Sequence, residues 1–398
     1  MAKENLDRLE QFGMDVILGR RRGFKASLLR GVLNGLSRLF RTLVQGRLVL
    51  FRHRIKTDFH LGATVISIGN LTVGGTGKTP VVEMLARRLQ QEGRRVGILS
   101  RGYKRVKPTV KERVRHKLKG QEHEPPPTIV STGTEVLGDP AHAGDEPFML
   151  ARNLPGVAVV VDKDRVKAGR WAVRDYNCDT LILDDGLQYL KLPRKLDIVL
   201  VDRTAPFGNE FMLPRGTLRE PPRNLRRASH IFLTKCDGSD NSEIIARLRL
   251  HNRTAAVIEC CHRPVHLQNL ADPSDTRPLD WLKGRKAGTI CGIAVPEGFE
   301  GILTRLGTDL VLTRRYTDHH RYTEAEINEC VLHADDMFAD CVITTEKDSV
   351  RFPVIEKTLL PVYFLRVEIE ILTGHEAFEE CIDRICRPSA VVPPMKLL

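Results

Sequence analysis

The chain has 398 residues, 41% hydrophobic and 28% charged, with nine cysteines and a formal net charge of +12. Its length exceeds one ordinary domain, and its balanced composition excludes a globally disordered chain and a polytopic membrane protein. The cysteines are odd in number and contain no CxxC pair, which argues against a disulfide framework or zinc site and for reduced thiols in a cytosolic setting.

Residues 1–20 are mixed and weakly helical, without the pattern of a secretory signal. The charge is concentrated just beyond them. Eleven Lys or Arg and no Asp or Glu lie between residues 16 and 57, and subtracting these eleven from +12 leaves +1 for the rest. Over 26–51, Leu28, Leu29, Val32, Leu33, Leu36, Leu39, Phe40, Leu43 and Val44 recur at helical spacing, with Arg30, Asn34, Ser37, Arg38 and Arg41 between them. The embedded arginines exclude a transmembrane span. Two readings stay open: a basic amphipathic helix lying in an anionic membrane interface, and a helix packed on its own domain with a solvated basic rim.

Residues 63–92 organise the chain. A strand-like run over 63–68 leads through Gly69, Asn70, Leu71, Thr72 and Val73 to Gly74, Gly75, Thr76, Gly77, Lys78 and Thr79, and Pro80 opens a helical pattern. A strand, glycine turn and helix N-terminus direct unpaired N–H groups and the positive end of the helix dipole at one point. Lys78 is placed for the β- and γ-phosphates and the Thr79 hydroxyl for Mg²⁺, so the stretch reads as a P-loop for a nucleoside triphosphate. Thr72 stands where the usual spacing has glycine, but Gly74 and Gly75 retain the freedom at positive φ that the loop needs.

A strand over 96–99 follows, then a basic, proline-bearing excursion over 104–127 that reads as a solvated insertion. Strand 128–131 returns the chain to the core, and a loop delivers Gly144, Asp145, Glu146 and Pro147 to a helix start. Further units are a strand at 157–161, a helix at 164–175 and a strand at 180–183 ending in Asp184, Asp185 and Gly186, the Walker B pattern in which a carboxylate meets Mg²⁺ or its water. Strands at 197–201 and 231–234 complete a mostly parallel sheet with helices on both faces. Residues 234–237 (Thr-Lys-Cys-Asp) resemble the guanine-reading element of P-loop GTPases without its Asn, leaving the nucleobase undecided. After turn-rich 271–278, a second series has strands at 287–293, 310–314, 341–345 and 361–371 and helices at 297–306 and 324–337, before a tail at 388–398. Ligands bind at the carboxyl ends of strands in such sheets, which makes Asp145, Asp184, Asp185, His319 and His320 candidates. Asp318 beside the two histidines favours proton transfer there, whereas Asp348 reads as a helix cap.

Segments 68–80, 100–103, 144–147, 184–188, 213–221 (with Arg215, Gly216, Leu218, Arg219 and Glu220), 318–320 and 344–348 together resemble tetraacyldisaccharide 4′-kinase, the lipid A 4′-kinase of Gram-negative bacteria. The likeness runs in family order over residues 25–385. It implies an α/β, P-loop NTPase-like fold with a smaller C-terminal α/β domain. The expected division is an N-terminal basic helical region at 1–60, a P-loop kinase domain at 61–263, a linker at 264–280, a C-terminal domain at 281–387 and the tail.

The resemblance also implies transfer of the ATP γ-phosphoryl group to the 4′-hydroxyl of a tetraacyldisaccharide 1-phosphate, forming lipid IVA in lipid A biosynthesis. The enzyme is expected at the cytoplasmic side of the inner membrane as a peripheral protein, with an anionic membrane surface as partner and no nucleic acid or obligatory protein partner. By position, Asp145 is the acceptor-activating base and His319 its partner, brought together by domain closure. Thr72, Val73, Gly74, Gly75, Thr76, Gly77, Lys78 and Thr79 hold ATP, and Thr79, Glu146, Asp184 and Asp185 surround Mg²⁺. Where the family commonly has DDGFQH, Leu187 and Tyr189 replace Phe and His. Two alternatives are a GTPase switch, separable by nucleotide preference, and a soluble small-molecule kinase, separable by deleting residues 1–57.

Overall fold

The computed structural model describes residues 12–13, 15–17, 19–102, 125–355 and 358–387. Tyr103, most of the expected excursion (104–124) and the tail at 388–398 lie outside the described residues. From the N-terminus come α1 (Phe24–Arg52), β1 (Thr64–Asn70), α2 (Lys78–Gln91), β2 (Val96–Ser100), β3 (Thr128–Thr132), α3 (Pro140–Ala143), α4 (Asp145–Asn153), β4 (Ala158–Val161), α5 (Arg165–Tyr176), β5 (Thr180–Asp184), β6 (Leu196–Asp202), β7 (His230–Thr234) and α6 (Ser242–Arg249). There follow β8 (Ala256–Asn269), β9 (Thr276–Pro278), β10 (Lys286–Cys291), α7 (Pro296–Arg305), β11 (Asp309–Arg315), α8 (Glu324–Asp336), β12 (Cys341–Thr345), α9 (Glu346–Ser349), β13 (Val362–Thr373) and α10 (His375–Cys386).

β1 is buried from Val65 to Asn70, as a strand covered on both faces must be. Parallel pairings to β5 on one side and β6 on the other place its C-terminal end, and the loop leaving it, at the middle of the sheet. All thirteen strands join one sheet in the order β11-β10-β12-β13-β8-β7-β6-β1-β5-β2-β4-β3, with β9 on β8. Pairings are parallel except β3–β4, β8–β13 and β8–β9. The α/β, mostly parallel architecture therefore matches expectation.

β8 differs from the sequence reading, which has extended chain only from residue 265. The strand begins at Ala256, pairs parallel with β7, then turns to an antiparallel ribbon with β13 that joins the two halves of the sheet. Its Cys-Cys-His-Arg-Pro run hides the strand signal because no clean apolar alternation survives. α10 also returns to the first half. Phe378, Cys381, Ile382 and Ile385 share one core with Ile66, Ile68, Val82, Leu85 and Leu89, and each fully buried side chain of this kind contributes about 1.5–3 kcal/mol.

α1 is about 43 Å long at 1.5 Å per residue and sorts its apolar residues into two faces. Leu29, Leu33, Phe40 and Val44 are half-buried, Phe40 packs on the core around Leu71 and Leu218, and the Ser37 hydroxyl donates to Met212 O (3.0 Å). The other face holds Leu28, Val32, Leu36, Leu39 and Leu43, from 48% to 63% exposed. The half-buried face fits a helix packed on its own domain, and the outer face is left exposed. No helix among the described residues is long and apolar enough to cross a membrane.

Candidate active site

The loop from Asn70 to Lys78 carries the first part of the site. Gly74 and Gly77 have φ +113 and +77, and a Cβ at Gly77 would come 2.6 Å from the His262 ring. Glycine is required there both by conformation and by space. α2 starts at Lys78, two residues before the expected Pro80. Proline is accommodated because N–H groups of a first helical turn lack intrahelical acceptors anyway. Residues 217–219 strap the loop, with Val73 N donating to Thr217 O and Arg219 N to Leu71 O, each at 2.7 Å. Thr72 is buried and bridges to Leu218, so the departure from glycine belongs to this strap. Lys78 Nζ donates to Asn70 Oδ1 (3.3 Å) and lies 3.8 Å from Asp185 Oδ1, while the buried Thr76 hydroxyl has no hydrogen-bond partner among the described residues.

β5 delivers the acids. Asp184 is buried and accepts from Ser100 Oγ (2.9 Å). Burial first, then the charges of Glu146 and Asp185, push its carboxyl up to about 6 against the pull of Lys78 and Ser100. Asp185, at φ +52, accepts two hydrogen bonds from Arg219 (2.7 and 2.8 Å). Burial raises it, but those bonds and the charges of Arg219, Lys78 and Arg165 prevail and hold it at about 2. Among the described residues no three His, Cys, Asp or Glu side chains form a ready cation cage. In phosphate sites Mg²⁺ takes one or two carboxylates and leaves its other positions to water and phosphate. Crowded, protonation-prone Asp184 beside Glu146, with the Thr79 hydroxyl, fits that demand, and Asp185 keeps lone pairs beyond the two that accept from Arg219.

The third part is formed jointly by the two halves of the molecule. Asp145 opens α4 after Gly144 turns the chain at φ +94. His319, in the loop after β11, places Nδ1 3.0 Å from Asp145 Oδ2 and Nε2 3.7 Å from Asp318 Oδ2. Burial raises the Asp145 carboxyl, yet the His319 hydrogen bond and the charges of Arg351, His319 and Arg321 keep it below the ordinary carboxylate value. Lys347 Nζ lies 3.6 Å from Glu146 and 3.9 Å from Asp318, linking the same two segments.

Several candidates are placed elsewhere. His320 turns away, with Nε2 3.0 Å from Glu326 and its ring stacked on Tyr316 at 4.4 Å. Tyr189 donates to Asp164 (2.7 Å) and accepts from Val166 N; it braces the start of α5. Lys235 pairs with Asp202 (2.5 Å) and Asp237 with Arg203 (3.0 Å), so both charged groups of the GTPase-like element are engaged by the two residues at the end of β6. Asp348 is not the cap of α9. Thr345 is, and the Asp348 carboxylate instead accepts from Gly292 N (3.0 Å) and Tyr322 Oη (2.9 Å).

The family model described as tetraacyldisaccharide-1-P 4′-kinase, LpxK, matches residues 29–387. The chain belongs to this family. Among tetraacyldisaccharide 4′-kinases, that of Geobacter sulfurreducens is 38% identical over 92% of this chain and 96% of its own. That of Syntrophus aciditrophicus is 38% identical over 81% and 84% respectively. The crystal structure of LpxK from Aquifex aeolicus in complex with ATP superposes with a TM-score of 0.70 at 28% identity, covering 90% of this chain and 99% of that one. Within this 4′-kinase family member, the sequence reading misses three charged groups at the site. Arg165 is buried, its Nε has no hydrogen-bond partner among the described residues, and it feels the charges of Asp184 and Asp185. Arg351 faces Asp145 at 3.4 Å, and Arg366 binds Glu83 and Glu346 beneath α2. Lone arginines at a helix start, in a turn or in a strand carry no local signal; only the burial of their heads marks them.

Proposed function

We propose that Asp145 is the base that activates the acceptor hydroxyl and that His319 is its partner. The chain is a tetraacyldisaccharide 4′-kinase, and the reaction moves the γ-phosphoryl group of ATP to the 4′-hydroxyl of a tetraacyldisaccharide 1-phosphate. The observation that carries the assignment is the 3.0 Å contact between Asp145 and His319, beside Glu146, whose charge acts on Asp184 together with that of Lys78. Residues Thr72 to Thr79 hold the phosphates of ATP with backbone N–H groups and the Lys78 ammonium. Thr79, Glu146, Asp184 and Asp185 would hold Mg²⁺, which would supply neutralisation of the charge that develops on the transferring phosphoryl group.

As the acceptor oxygen bonds to the γ-phosphorus, its proton passes to the Asp145 carboxylate. The bond from the γ-phosphorus to the β–γ bridging oxygen breaks and ADP departs. His319, hydrogen-bonded to Asp145 Oδ2, fixes the carboxylate and stabilises its charge. The chain works as a P-loop unit and a smaller C-terminal unit, joined by β8 and β13.

The exposed face of α1 supports a peripheral site on the cytoplasmic side of the inner membrane. Its five leucine and valine side chains insert among acyl chains while flanking arginines meet anionic headgroups. The acyl chains of the substrate stay in the bilayer, and its sugar reaches the strand ends. Incubation with radiolabelled ATP and a panel of acylated disaccharides tests the whole reading: a labelled 4′-phosphorylated lipid that disappears in Asp145→Ala is expected, and undiminished labelling by that variant removes the base.

A further inference from the structure

We propose that Arg351 is a positioning residue that holds Asp145 and His319 in mutual register, an inference that rests on the assignment of Asp145 as base. The Arg351 side chain is fully buried, at 0% exposure. Its Nη1 donates to Gly292 O (3.2 Å) and His320 O (3.3 Å), and its Nε donates to Lys347 O (3.2 Å). The same Nε lies 3.4 Å from Asp145 Oδ2, the oxygen that meets His319. One planar head therefore touches the carboxylate directly and reaches His319 through its neighbour's carbonyl, His320 O, and through Gly292 O, the acceptor it shares with the His319 N–H.

The histidine backbone needs such a hold. His319 sits at φ +67, a left-handed conformation that non-glycine residues keep only where their surroundings impose it. Its N–H donates to Gly292 O (3.2 Å), the carbonyl that also accepts from Arg351. Gly292 cannot be larger, because a Cβ there would come 2.9 Å from Tyr322 Oη and 3.0 Å from Thr317 O. Asp348 closes the arrangement. It accepts from Gly292 N, Tyr322 Oη and Thr345 Oγ1 (2.5 Å) and lies 3.3 Å from Arg351 Nη2.

The guanidinium is thus clamped between two acids, one aimed into the site and one behind it. A neutral side chain would remove the cation that lies between the two acids, leaving Asp145 the more exposed Arg321 at 3.9 Å, and an ammonium lacks the planar fork that reaches three carbonyls. Displacing reacting groups by about 1 Å can cost about 100-fold in rate, and Arg351 lies where such a displacement would act on both groups at once.

The test uses the full chain with ATP and an acylated disaccharide 1-phosphate. Arg351→Gln is expected to lower kcat about 100-fold with KM for ATP changed less than about threefold, since its contacts do not include the phosphate loop. In an Asp145→Asn background the same substitution should cost less than about threefold, because the group it positions is already lost. An equal loss in both backgrounds, or a single-variant kcat within about threefold of the parent, overturns the inference. If Asp145→Asn itself turns over at the parent rate, the base assignment falls and this inference with it. Should Arg351→Gln fail to fold by circular dichroism, Arg351→Lys enters the same cycle; about tenfold loss confined to the Asp145 background is expected, and equal loss in both overturns it.

Discussion

His319 Nδ1 lies 3.0 Å from Asp145 Oδ2 although 174 positions separate the two residues in sequence. Asp145 enters from the start of α4 and His319 from the loop after β11, so the pair exists only when both halves of the sheet are assembled around β8 and β13. Replacing Asp145 by Asn should lower kcat by about 100- to 10,000-fold, the range for a general base. ADP affinity by calorimetry should stay within about threefold. His319→Ala should lower kcat at least about 100-fold, and the double variant should be little worse than the poorer single one, because the two act as a unit.

Arg366 is the only cation hydrogen-bonded to both Glu83 and Glu346 among the described residues, and all three are largely buried. Arg366→Met should destabilise the protein by about 3–5 kcal/mol, since buried Glu346 loses its hydrogen-bonded cation and Glu83 keeps only the more exposed Arg87 at 2.9 Å. Denaturant unfolding measures this. Adding Glu83→Gln and Glu346→Gln should restore part of the loss, and no recovery would contradict the pairing.

Leu36 and Leu39 are 48% and 57% exposed on the outer face of α1. Changing both to Glu should abolish co-sedimentation with anionic vesicles while leaving the unfolding temperature within about 2 °C, because neither packs on the core. Leu33, on the half-buried face, should lower the unfolding temperature when changed in the same way.

His230 is buried in β7, and burial, then the charge of Arg384, push its imidazole down to about 4 against the weaker pull of Glu380. The unfolded chain protonates near pH 6.5, so between pH 6.5 and 4 it binds a proton that the folded chain refuses. Stability therefore falls as pH falls through this window and is fully present above it. His230→Phe should show a shallower decline in denaturant midpoint from pH 6.5 to 4; an identical slope would exclude His230 as its source.

Some of the molecule is written locally. The P-loop, the Walker B acids and the alternation of strands and helices are legible because each depends on neighbours in sequence: a buried strand, glycines at positive φ, a helix start. Asp145 and His319 were legible as candidates by residue type and position at strand and helix ends. Other features have no local signature. β8 hides behind cysteine, histidine and proline, and the faces of α1 separate only once residues 207–225 cover one side. The His319–His320 doublet divides into one residue facing Asp145 and one stacked on Tyr316.

Sequence by itself thus determined the phosphate-binding chemistry and the family, since backbone conformation and side-chain type at consecutive positions suffice for an anion-binding turn. Tertiary structure alone decided which charges meet. Arg351, Arg366 and Asp348 acquire their roles from partners tens to hundreds of residues away, and the pairing of a buried charge is set by whichever opposite charge the packed chain brings within reach.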